Sequence, residues 1–292
     1  MGSGNRKMIA IALVAVLVVA VVAVVALSQN NNSASQTATV LDASGTNVTL
    51  SASPQRIVSC APDISEIVAA MDLTDKLVAV TDYCDYPQEV KTLRDAGKTI
   101  GGFYTPSYEK VISYNPDLVI VSNSVQTQTD MAIQLRSSGY TVLIVNAATN
   151  ISMVYDNIEM IGKLVGLESK ANDLVEDMQS RINSVSAGIS GEDKPSIMFV
   201  TYAEAGFTNV WPAGGGTAIG EIIDLAGGDN VFAEMSGFEM ASEEVLKSKA
   251  STVDYIFMTI MYSPETPENT SAWFKSDSLW KESPAAKNNN IY

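Results

Sequence analysis

Short apolar runs alternate with helical patterns along most of this chain. IVSC (57–60), LVAV (77–80), DLVIV (117–121) and TVLIV (141–145) are strand-length, and around them lie PDISEIVAAM, PQEVKTL, SYEKVISY and TDMAIQLRSS, with apolar residues at helical spacing. Several of these open on Pro at the first helical position, and Gly139 closes one. Such alternation predicts parallel strands covered by helices on both faces. Residues 151–187 break it: MVYDNIEMIGKLVGL and ESKANDLVEDMQSRINSV keep helical spacing without a strand run, with Gly166 as the joint. The α/β pattern resumes with SIMFVTY (196–202), TAIGEIIDLAGG (217–228), SEEVLKSK (242–249) and DYIFMTIM (254–261).

The pattern predicts an α/β protein of two lobes, an N-terminal one over 40–150 and a C-terminal one over 191–292, joined by a helical connector over 151–190. Ahead of the first lobe, VLDASGTNVTL (40–50) reads as a hairpin, and QNNNSASQTAT (29–39) as a flexible tether. Residues 1–28 contain Arg6 and Lys7 followed by an apolar stretch from Met8 to Leu27, long enough for a transmembrane helix that leaves the rest of the chain outside the cell membrane. A cleaved signal peptide is the rival reading. The lobes also echo one another, since Glu109-Lys-Val-Ile and Asp117-Leu-Val-Ile are matched by Glu243-Glu-Val-Leu and Asp254-Tyr-Ile-Phe.

Composition removes several function classes. The 292 residues carry a net charge of −15 and no His. Without a dense Lys/Arg face, nucleic acid is not an expected partner. Without His, the commonest transition-metal ligand and the commonest general base are missing, so no metal site and no Ser-His-Asp centre is expected. In open parallel sheets, ligands lie outside the carboxyl ends of the strands, and small-molecule sites favour clefts between domains. The loops at those ends hold Tyr83, Tyr86, Phe103, Tyr104, Phe207, Trp211 and Phe238. Any single ring among them is more often loop packing than ligand contact, above all Tyr86, Tyr104 and Phe207. Their recurrence at strand ends of both lobes favours Tyr83, Phe103, Trp211 and Phe238 as ligand contacts. An enzyme using Asp82, Tyr83 and Asp85 as an acid/base cluster is the alternative class. It lacks a nucleophile paired with a base, and NVWPAGGGTAIGE (209–221) lacks the Lys of a phosphate loop. Cys60 and Cys84 end neighbouring predicted strands in an exported domain, so a disulfide and two free thiols are both open.

PQRIVSCAPDISEIVAAM, VAVTDYCDYPQEV, IGGFYTPSYEKVISYNPDLVIV and the helical connector resemble the ferric-siderophore and cobalamin group of substrate-binding proteins, the helical-backbone receptors of ABC importers. TDYCDYP followed by GGF and NPDLVI is closest to the cobalamin-type branch. The resemblance spans about residues 40–292. It implies a rigid helical backbone, a ligand held in the cleft between two lobes by Tyr83, Phe103, Trp211 and Phe238, with Tyr104 beside them, and delivery to a permease dimer with its ATPase subunits. It also implies docking through one glutamate per lobe, here Glu109 and Glu243, with Glu244 as the neighbour one position on. Relatives of this kind continue past NNNIY with another loop and a long helix, so the second lobe is expected to be incomplete or to lack those last elements.

Within that family, charge narrows the ligand. None of the strand-end loops contains Lys or Arg, whereas ferric siderophores, catecholates above all, arrive as anions and call for cations. Rings, hydroxyls and amides suit cobalamin or another corrinoid, carried as transported ligand rather than cofactor. A ferric siderophore is the second expectation and haem the third.

Overall fold

The computed structural model describes residues 37–189, 191–207, 209–259 and 266–292. The apolar stretch 8–27 and most of the expected tether lie outside these residues. Among the described residues, no helix is long and apolar enough to cross a membrane. The chain divides into two units, an N-terminal one that runs up to residue 148 and takes in Ser152–Gln179, and a C-terminal one formed by Thr149–Ile151 and Ser180–Tyr292.

The N-terminal unit opens with strands β1 (Ala38–Leu41) and β2 (Asn47–Leu50), paired antiparallel with Val40 opposite Val48. Asp42 holds the turn between them: its carboxylate accepts the N–H groups of Ser44 and Thr46 and pairs with Arg136. There follow β3 (Ile57–Ser59), α1 (Pro62–Ala70), β4 (Leu77–Ala79), α2 (Gln88–Asp95), α3 (Tyr108–Ser113), β5 (Leu118–Ser122), α4 (Gln126–Ser137) and β6 (Val142–Val145). The four strands β3 to β6 form a parallel sheet in the order β4-β3-β5-β6. β5 is buried at every position, because each face of the sheet has its own core. Leu118 and Ile120 pack with α1 and with helices α5 (Ile151–Val165) and α6 (Glu168–Gly188), while Val119 and Val121 pack with α3 and α4. α5 and α6 are the predicted helical connector. They meet at Gly166, whose φ of +79° is one that side-chain-bearing residues rarely adopt.

At the centre of the C-terminal unit is β7 (Ser196–Ala203). β10 (Tyr255–Met258) runs parallel along one edge. Along the other lie β8 (Val210–Pro212), antiparallel, and the short β9 (Asp229–Asn230), parallel. Helices α7 (Ala218–Leu225), α8 (Glu243–Ala250), α9 (Pro267–Ser276) and α10 (Pro284–Lys287) complete the unit. β8, β9, α9 and α10 were not expected from the hydrophobic pattern.

The internal echo is physical. Asp117, just before β5, accepts the backbone N–H groups of Gln55 and Arg56 at 2.7 and 2.9 Å, fastening the start of β5 to the start of β3. Asp254, just before β10, accepts the N–H and hydroxyl of Ser196 at 3.0 and 3.1 Å, fastening β10 to β7 in the same way. Ser107 caps α3 by accepting the N–H of Lys110, and Ser242 caps α8 by accepting that of Val245. Caps of this type contribute about 1 kcal/mol each.

Candidate functional site

In the N-terminal unit, two loops at the carboxyl end of the sheet are stitched together. After β4, Val80 donates to Lys98 O and Ile100 donates back to Val80 O, at 3.1 and 2.9 Å; two residues further on, Asp82 donates to Gly101 O. This lays the Tyr83 loop against the Phe103 loop. A Cβ on Gly102 would stand 3.4 Å from Cε2 of Tyr83, so the ring rests directly on glycine backbone. Phe103 is half-buried against the core, and its ring meets that of the exposed Tyr104 edge-on at 5.0 Å. Tyr83 is exposed as well. The fold therefore sets Tyr83 against the loop that carries the Phe103–Tyr104 pair.

What holds that loop is a residue the sequence did not single out. Gln128, fully buried in the first turns of α4, donates at 2.9 Å to both Cys60 O and Phe103 O and accepts the Ser122 N–H at 3.0 Å. One carboxamide thus ties the ends of β3 and β5 to the Phe103 loop. Its only sequence signal is a Gln at a core position of an otherwise ordinary amphipathic helix.

Cys60 and Cys84 are free thiols and fully buried. Of the two readings left open, the fold contains the unbonded one. The Cys84 sulfur sits 3.1 Å from the Thr81 hydroxyl and 3.2 Å from that of Ser65. Burial raises both thiol pKa values above the ordinary one, so both stay protonated and poorly nucleophilic. Beside them, the Glu66 carboxyl is pushed up to about 7 by burial, with Asp63 and Asp85 adding repulsion.

In the C-terminal unit, Trp211 lies half-exposed in the middle of β8 between the buried Val210 and Pro212. Its ring meets Tyr202, at the end of β7, at 5.2 Å. Phe238 is exposed on the loop that leads to α8, a loop paired to the glycines after β8 through Gly214 N–H to Gly237 O and Gly237 N–H to Gly215 O. Phe207 is buried instead, its ring 4.3 Å from Trp273 and 5.0 Å from Phe274, and is a core residue. The glycines 214–216 turn into α7, capped by Thr217, which accepts the Gly220 N–H. A cavity of about 310 Å³ opens there, lined in part by Glu221, Asp224 and Asn230. Its two carboxylates repel a phosphate, which removes the remaining attraction of a phosphate-loop reading.

The two serine caps set the register of the glutamates expected to dock. Glu109 stands two residues after Ser107, and the residue two after Ser242 is Glu244; Glu243 is one residue early and pairs with Lys247 one turn on. The position corresponding to Glu109 is therefore Glu244 rather than Glu243, because helix register is counted from the cap. Glu109 and Glu244 are both exposed.

The model of the family described as periplasmic binding protein matches residues 57–292. Over 259 residues, the chain is 32% identical to the uncharacterized ABC transporter substrate-binding lipoprotein YvrC of Bacillus subtilis, covering 87% of this chain and 77% of that protein. It is 31% identical over 214 residues to the cobalamin-binding protein of Halobacterium salinarum, spanning 71% of this chain and 55% of the relative. Among solved structures, the periplasmic vitamin B12 binding protein BtuF of Vibrio cholerae superposes with a TM-score of 0.62 at 23% identity, covering 82% of this chain and 86% of that one. The periplasmic heme binding protein HutB of Vibrio cholerae superposes at 0.70 and 22% identity, covering 82% and 88%. At these identities the superpositions speak for the fold alone.

Proposed function

The chain belongs to the periplasmic binding protein family, and on that premise we propose that it is the extracytoplasmic substrate-binding protein of an ABC importer, capturing a corrinoid for delivery to the permease. The observation that carries the ligand is the chemistry of the carboxyl-end loops: rings, hydroxyls, amides and a few carboxylates, with no Lys or Arg. A catecholate siderophore or the propionates of haem would leave anionic groups without a cation there, at a desolvation cost that neutral amides of a corrin rim do not incur. The Halobacterium relative, named for cobalamin, points the same way.

Tyr83, Phe103 and Tyr104 in the N-terminal unit and Trp211 and Phe238 in the C-terminal unit are the proposed ligand contacts. Glu109 and Glu244 are the proposed docking residues, one carboxylate per unit for basic residues of a permease dimer that works with its ATPase subunits. The apolar segment 8–27 is the proposed hold on the membrane, and the lipoprotein in the name of the Bacillus relative agrees with membrane attachment of such receptors. Calorimetric titration of the protein with cyanocobalamin, a ferric-siderophore panel and haemin tests the ligand. Binding is expected for the corrinoid, and tight siderophore binding with no heat from cyanocobalamin would overturn the assignment.

A further inference from the structure

Tyr202 does not point where strand alternation would send it. Along β7, Ile197 and Phe199 enter the core formed with Ile223 and Ala226, while Met198 and Val200 enter the core formed with Phe232 and Leu246. Continued by two residues, this alternation would bury Tyr202 beside Met198 and Val200. Instead the register against β8 passes from Val200 opposite Pro212 to Tyr202 opposite Trp211, two residues of β7 against one of β8. This is a β-bulge, a device that re-aims side chains. Tyr202 is 41% exposed as a result, its ring tilted 48° to that of Trp211.

The row extends to a third segment. Val210 forms an antiparallel bridge with Ala241, which donates to its carbonyl at 2.8 Å, and both side chains lie in the Phe232 core. Antiparallel pairing then sets Met240 opposite Trp211, on the face turned away from that core, and Met240 is 53% exposed. Tyr202, Trp211 and Met240 thus stand side by side at the carboxyl end of β7. With neighbouring segments roughly 4.8 Å apart, the row spans about 10 Å.

We propose that this row is a stacking platform for one face of a planar conjugated macrocycle, and that Tyr202 is a specificity-determining residue for it. The proposal rests on the corrinoid reading above and adds a residue and a geometry to it. Two aromatic faces offer contact area with little side-chain entropy to lose, a polarizable thioether adds to it, and none of the three brings a charge to desolvate. The Tyr202 hydroxyl can hydrogen-bond an amide at the rim of the ring. A linear hydroxamate siderophore presents no flat face and gains nothing from such a row.

The test compares Tyr202→Ala, Tyr202→Phe and Met240→Gln with the unaltered protein, by calorimetry with cyanocobalamin, haemin and ferrioxamine and by thermal melting. Tyr202→Ala is expected to weaken cyanocobalamin about tenfold or more, Tyr202→Phe less than threefold, and Met240→Gln several-fold, the last on an exposed side chain whose change leaves the melting temperature in place. Unchanged corrinoid affinity in Tyr202→Ala and Met240→Gln would overturn the platform while the corrinoid reading stood. Haemin binding that depends on Tyr202, with no corrinoid binding, would overturn the corrinoid reading and keep the platform. An unaltered protein that binds neither macrocycle would overturn both.

Discussion

The two units share a chassis and differ in how they build the loops at its carboxyl end. In each, an aspartate fastens the start of one strand to the start of its neighbour, Asp117 for β5 and Asp254 for β10, and a serine-capped helix precedes that strand. Above that chassis, the N-terminal unit keeps a parallel sheet, stitches its Tyr83 loop to its Phe103 loop through the Val80–Thr99 bridge and the Asp82 N–H to Gly101 O bond, and ties the Phe103 loop to the strand ends through the buried carboxamide of Gln128. The C-terminal unit also has a buried carboxamide, Asn230, which donates to Ala213 O at 3.0 Å and accepts the Phe232 N–H at 3.1 Å. Its loops pair more extensively, through the strand β8 and the 210–241 and 215–236 bridges. The contrast shows that a repeated scaffold does not require a repeated wall: a single bridge with a side-chain tie leaves the rings of the first unit on irregular loops, whereas strand pairing of three successive segments lines those of the second up in a row.

The largest expected effect lies at α3 and α8, the helices that carry the proposed docking residues. If Glu109 and Glu244 are equivalent, the paired reversal Glu109→Lys with Glu244→Lys abolishes ligand-dependent transport in reconstituted vesicles and leaves ligand affinity intact, since neither residue is a proposed ligand contact. Reversal of Glu109 with Glu243 would then be the weaker pair, and the opposite ranking would return the register to Glu243.

The two carboxamides sharpen the contrast. Gln128→Leu strands two carbonyls and one N–H in the interior and is expected to cost about 3 kcal/mol or more, while Asn230→Leu strands one of each and costs about 2 kcal/mol. Urea denaturation followed by far-UV dichroism reads both. Equal losses would mean that the strand pairing of the C-terminal unit does not share the task.

The aspartates test the chassis itself. Asp117 is exposed and Asp254 half-buried, so solvent screens the first more. Asp254→Ala should cost about 2 kcal/mol and Asp117→Ala about 1 kcal/mol. A larger loss at Asp117 would show that equivalent geometry does not carry equivalent energy.

The smallest expected effect is confined to the N-terminal unit. Glu66 has a folded pKa near 7 against an ordinary 4.5, so the folded state holds a proton that the unfolded chain has released between those values. Stability therefore falls as pH rises from about 4.5 to 7. With the side chain partly open to water, the change is about 1 kcal/mol. Glu66→Gln should flatten that part of the melting temperature against pH curve, and an unchanged slope would assign it to other groups.

The amino-acid sequence alone determined the alternation of strands and helices, the helical joint at Gly166, the hairpin before the first sheet and the absence of cations from the carboxyl-end loops. These depend on local periodicity and composition, which any short window of chain displays. Tertiary structure decided the rest. β8 and β9 are short segments of three and two residues, stable only because β7 offers an edge to each, so no periodicity marks them. Gln128 became a tie because Cys60, 68 residues away in sequence, brings its carbonyl to within 2.9 Å of the amide. Tyr202 left the core for the surface because one extra residue of β7 fits opposite β8, and a bulge belongs to a pair of strands rather than to either one.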